Sequence, residues 1–115
     1  MQIDKLTSKF QEAIAAAQSM AVGKDHQFIE PAHLMLALIE QQSGTVKPLL
    51  AQSGVNLITY QAALAEQLTR MAQVDGGSGD IHVSQDLNRL LNQTDKFSQQ
   101  RQDQYVSSEL FVLAV

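Results

Sequence analysis

The sequence predicts an all-α domain of two pseudo-symmetric four-helix repeats, the second of them truncated. Three observations predict it. The apolar stretch FIEPAHLMLALIE from Phe28 to Glu40 returns as YVSSELFVLAV from Tyr105 to Val115, an offset of 77 positions. Carried backwards, the same offset aligns Thr7 with Ser84, two residues suited to capping a helix, each preceded by an apolar residue, Leu6 or Val83. Between the copies, AQVDGGSGDIH from Ala72 to His82 concentrates glycines that disfavour helix and strand alike. Repeat one is placed at about residues 6–71, the linker at about 72–82 and the incomplete repeat two at about 83–115, all within one domain over 1–115.

The first helix of each copy follows its cap. Phe10, Ala13, Ile14 and Ala17 match Leu87, Leu90, Leu91 and Thr94, spacings that share one helical face. The run AIAAAQSMA reads as a surface where two helices approach closely. After some fifteen residues each copy turns polar, GKDHQ from Gly23 and QRQDQ from Gln100. The second helix starts at Glu30 and Pro31 in one copy and at Ser107 and Ser108 in the other. Both are apolar nearly all round, which predicts that both are central, with the matched Leu36 and Leu113 buried. In copy one a short helix is expected from about Val46 to Gln52, opened by Thr45 and closed by Gly54, and Asn56 is expected to cap a fourth. The second copy is expected to lack its last two helices, with the chain belonging to something longer. Only three of the thirty-two aligned pairs are identical (Gln27/Gln104, Leu36/Leu113, Ala37/Ala114), so the repeat lies in residue type.

Composition narrows the function. Of 115 residues, 44% are hydrophobic and 17% charged, the balance of a folded domain. A formal charge of -4 with scattered basic residues argues against a nucleic-acid partner. No apolar run approaches the ~20 residues that span a bilayer, and no secretory leader is evident. Cysteine is absent, which permits a reducing compartment without proving one, and a cytoplasmic location is expected.

His26, His33 and His82 are scattered, without the spacing of a metal set, and no metal is expected. His33 falls opposite Leu110 in the alignment, which predicts a buried, inert histidine. Neither Asp25 with His26 nor Ser107 with Glu109 completes a nucleophile, base and orienting carboxylate. DGGSGD lacks the lysine and hydroxyl of a phosphate loop.

The phrases LTSKFQEAI, QFIEPAHLM, DGGSGD and SSELFVLA, and the paired repeat that holds them, resemble the amino-terminal domain of the Clp family of ring-shaped ATPases, its disaggregase members above all. The resemblance covers essentially the whole chain. It implies a non-catalytic domain that binds exposed apolar segments of misfolded or aggregated proteins and delivers them to a ring, a hexamer in the family. ATP and magnesium would belong to ATPase modules absent from this chain, and this domain would carry no cofactor of its own.

The resemblance also implies Thr7, Asp103 and Glu109 as positions that matter for handling aggregates. Against this, Thr7 is read as a helix cap, Asp103 as a solvated turn residue, and Glu109 as an acid in a positive first turn. Leu91, Phe97, Leu110 and Phe111 are the groove candidates, as apolar residues left over once a core face is assigned. Two alternatives stand beside this reading: the adaptor-docking domain of a Clp unfoldase that feeds a protease, and a free-standing helical scaffold or sensor.

Overall fold

A computed structural model of the chain describes residues 5–71, 73 and 81–115. The elements run α1 (Ser8–Gly23), β1 (Phe28–Ile29), α2 (Pro31–Glu40), α3 (Val46–Gln52), α4 (Leu57–Thr69), β2 (His82–Val83), α5 (Gln85–Gln100) and α6 (Ser108–Ala114). The linker expected at 72–82 lies outside the described residues except for Gln73, Ile81 and His82.

Three helix starts, those of α1, α4 and α5, carry the expected side-chain caps. The Thr7 hydroxyl accepts from the Phe10 amide at 3.2 Å, and the Ser84 hydroxyl from Leu87 at 3.0 Å. Asn56 caps α4 through the Thr59 amide at 3.2 Å. Both long helices end alike. The backbone enters the left-handed region at Asp25 (φ 58°) and at Gln102 (φ 59°). The next amide then bonds back into the helix, His26 to Ala21 O at 2.9 Å and Asp103 to Ser98 O at 3.0 Å. These pairs all carry the 77-residue offset.

Neither copy is self-contained. The Ser84 amide donates to Ile29 O at 3.0 Å, and the Thr7 amide to Val106 O at 2.9 Å. Likewise β1 pairs with β2 in parallel, Ile29 opposite Val83, while Leu6 bridges Val106 in parallel. Adding the offset to the repeat-one member of each pair gives the repeat-two member of the other. The segment entering each first helix is therefore paired with the segment entering the other copy's second helix, a reciprocal arrangement with pseudo-two-fold symmetry. The short pairings carry no alternating pattern of their own, so no local sequence signal marks them.

One core serves both copies. Phe10 and Phe111, each fully buried, meet across the copies with ring centroids 5.9 Å apart at a 48° tilt. Every residue of α2 from Ala32 to Ile39 is buried, because α1, α3, α4 and α5 all pack against this helix. The equal expectation for α6 is corrected. Leu36 is 6% exposed but its mate Leu113 is 66% exposed. Helix α6 has α5 and α3 as its main neighbours, and nothing among the described residues repeats the cover that α4 gives α2 through Leu64 and Leu68.

Candidate functional site

Alanine shapes the surface of repeat one. Ala13, Ala17 and Ala21 face inward and let α1 lie close on α2, while Ala16, one step round the helix, stays exposed. Two adjoining depressions result. One, of about 490 Å³, lies between α1 and α2 and is lined by Ala13, Ala16 and Ala37, with Glu12, Glu40 and Gln41 also on its lining. The other, of about 590 Å³, continues towards α4 over Leu36, Ala62, Ala65 and Leu68, with Lys24, Glu40 and Gln61 beside them. Met20 and Glu40 belong to both. The result is an open cleft over α2 with a small-residue floor and one flexible thioether, a surface that adapts to apolar groups of varied shape.

Sequence reasoning missed this cleft, although a signal was present. At the offset positions of repeat two, Ala13, Ala16, Ala17 and Ala21 become Leu90, Gln93, Thr94 and Ser98. Leu90 there packs against the core, and Thr94 and Ser98 are buried. The two buried hydroxyls are satisfied locally, Thr94 on Leu90 O at 2.7 Å and Ser98 on Tyr105 O at 3.5 Å.

The site residues expected from sequence do not form one cluster. Leu110 (3% exposed) and Phe111 (0%) belong to the buried interior, so their placement in an open groove is corrected: they lie on the inward face of α6, where Phe111 meets Phe10. Leu91 is half-buried against the core. Phe97 is also half-buried and is the offset mate of Met20, which puts it at the equivalent place in repeat two. Thr7 serves as the α1 cap described above. Asp103 is exposed, and its Oδ2 accepts from Arg101 Nε at 3.0 Å. Glu109, half-buried, accepts a hydrogen bond from the Thr45 hydroxyl and so joins the start of α6 to the start of α3. Thr45 accordingly makes no side-chain cap on α3.

The histidines are organised more closely than expected. His26 and His33 are both buried, with His26 Nδ1 and His33 Nε2 2.8 Å apart. The Glu30 amide donates to His33 Nδ1 at 2.8 Å, closing the start of α2. Burial, then the neighbouring His26, hold the His33 pKa down to about 4; the Glu30 backbone bond opposes them and Lys24 adds a smaller lowering. Burial of His33, as the alignment predicted, holds. Among the described residues no group of three potential ligands gathers for a metal.

Comparison with known proteins accords with this geometry. The family model described as the Clp repeat (R) N-terminal domain matches residues 5–115. The chaperone protein ClpB of Pseudomonas putida is 52% identical over 99% of this chain, and that of Vibrio cholerae 47% identical over the same share. The chain spans 13% of the length of either relative. Among solved structures, the Hsp104 N-terminal domain of Candida albicans superposes with a TM-score of 0.85 at 21% identity, covering 96% of this chain and 72% of that one. The N-domain of ClpV from Vibrio cholerae gives 0.83 at 22% identity, covering 97% and 66%. With a family match across nearly its whole length and relatives about half identical to it, the chain belongs to the Clp repeat N-terminal domain family.

Proposed function

We propose that this domain captures exposed apolar segments of misfolded or aggregated proteins and hands them to an ATPase ring carried by a longer protein, in the cytoplasm. The cleft over α2 is the observation that carries the reading. Its alanine floor and Met20 offer apolar contact, with Glu12, Lys24, Glu40, Gln41 and Gln61 also on the lining. Such contacts are weak and tolerant, as a capture step needs. The chain has no G-x-x-x-x-G-K-[ST] sequence, so ATP and magnesium would be held by other modules of the longer protein, in a ring expected to be a hexamer.

Repeat two supplies a second surface. Phe97 and Leu113, mates of Met20 and Leu36, and half-buried Leu91 give it apolar area, and Asp103 stands exposed beside the turn into α6. We assign Asp103 a part in client handling and Glu109 a lesser one, since its carboxylate is engaged by Thr45. Thr7 would act through its helix.

Fluorescently labelled casein, a permanently unfolded protein, tests the cleft. Ala16→Glu places a carboxylate over its floor from an exposed position, so the fold should keep its melting temperature while affinity falls by about tenfold or more, the equivalent of about 1.4 kcal/mol. Unchanged affinity in a folded Ala16→Glu domain would refute the cleft as the capture site. Loss of binding in Phe97→Ser alone would move capture to repeat two.

A further inference from the structure

Two buried imidazoles sit at the junction of the repeats, and the proposed function does not use them. Their protons can be assigned from their partners. The Glu30 amide donates to His33 Nδ1, so the neutral ring carries its hydrogen on Nε2 and gives it to His26 Nδ1. The chain of donors runs one way, from the Glu30 amide through His33 to His26. Neither accepting nitrogen is free for a proton. One placed on His26 Nδ1 would face the His33 N–H at 2.8 Å, and one on His33 Nδ1 would face the Glu30 N–H at 2.8 Å.

The surroundings make this local conflict matter. His26 bridges Gln73 in antiparallel fashion where the connector between the repeats begins. Next along the chain, Gln27 O accepts from the His82 amide at 3.2 Å where that connector ends. Two residues on, Ile29 O takes the Ser84 amide. His26 and the three residues after it thus hold both ends of the connector and the entry to α5.

We propose that the His26–His33 pair is a proton-sensitive clasp on the junction between the repeats. Neutral, it fixes the start of α2 and both ends of the connector. A proton taken from solvent by the His33 ring breaks the donor chain and loosens the strand pairing of Phe28–Ile29 with His82–Val83.

The charged or titratable groups nearest the pair along the chain are Lys24 and Asp25 at the end of α1, Glu30 at the start of α2 and His82 on β2, while α3, α4 and α5, which also pack on α2, carry Lys47, Tyr60, Glu66, Asp86, Arg89, Asp95 and Lys96. Lys9, Glu12 and Glu40 stand at the far ends of α1 and α2. Lys24 opposes a positive ring, and one Glu30 carboxylate oxygen is buried without a hydrogen-bond partner. A folded-state pKa below the ordinary 6.5 means that the opened form binds the proton more tightly, so the clasp is fully closed above that value and is lost as pH falls towards about 4. Between those limits, moving from about pH 7 to about pH 5 should raise the opening equilibrium about 20-fold.

Hydrogen exchange on the whole 115-residue chain reads this directly. Protection of the His82 and Ser84 amides should fall about 20-fold over that range, against much less at the buried Leu64 and Leu68 of α4. His33→Leu, which copies its mate Leu110, should leave His82 and Ser84 protection flat with pH. A flat response in the parent, a fall shared equally by α4, or the same fall in His33→Leu would each overturn the clasp. Should His33→Leu fail to fold, nitrogen NMR of the parent imidazoles decides. The Nε2–H form of His33 persisting below about pH 5 supports the clasp, and titration near the ordinary histidine value overturns it.

Discussion

Leu36 and Leu113 share residue type and repeat position but not surroundings, and cutting each to alanine separates the two influences. Leu36 is 6% exposed in the middle of α2, beside Leu68, Ala65 and Met20. Its truncation removes three buried carbons, about 2.4 kcal/mol at ~0.8 kcal/mol for each. A sealed void would add to this, but the lost volume opens into the neighbouring cleft, so the cost should sit low in the usual range, at about 2–3 kcal/mol. For a chain of this size that is a fall of roughly 10 °C in melting temperature. Leu113 is 66% exposed, so at most a third of the transfer term is at stake, and alanine's better helix propensity offsets part of it. Leu113→Ala should cost under about 0.8 kcal/mol. Urea unfolding of both variants, with the slope checked against the parent, measures the difference. Equal losses at the two positions would refute the argument, since they would mean that repeat position, not contact, determines the energy.

Two further outcomes follow from the symmetry and its breaking. Thr7→Ala and Ser84→Ala should each lower stability by about 1 kcal/mol, since each hydroxyl satisfies one amide in a matched cap, and a calorimetric melt of either reads the loss. A double-mutant cycle of Thr45→Val with Glu109→Gln should show coupling of about 0.5–1 kcal/mol from the bond between α3 and α6, while zero coupling would free the Glu109 carboxylate for a role outside the fold.

Much of the architecture was legible because helix signals are local. Caps at Thr7, Ser84 and Asn56, the proline at the start of α2 and the glycine after α3 each act within a turn of where they stand. The constant offset then turned those local signals into a repeat. Contacts that depend on distant residues were not legible in that way. Nothing near Leu113 says whether a helix covers it, and Leu110 and Phe111 read as surplus apolar residues until Phe10 is seen against Phe111. His26 looked like one polar residue in a polar turn, and only the fold sets it on His33. The cleft lay between these cases: it is the difference between alanine in one copy and leucine, glutamine, threonine and serine in the other, visible in the alignment once the copies are asked where they differ.

Reciprocal pairing carries a consequence for how the two copies hold together. A repeat whose hydrogen bonds closed within itself could open alone, leaving its partner folded. Here the amide that starts α1 is bonded beside α6, and the amide that starts α5 is bonded beside α2. Releasing either copy therefore strips bonds from the entry of the other's central helix and also parts Phe10 from Phe111. Opening of one repeat is thus coupled to opening of the other through backbone bonds as well as through the shared core. The histidine pair lies on one of these two reciprocal seams and has no counterpart on the second, where Asp103 and Leu110 occupy the matching positions. A proton therefore acts unequally on two seams that the fold otherwise builds alike, and the junction that answers to pH is the one that also anchors the connector.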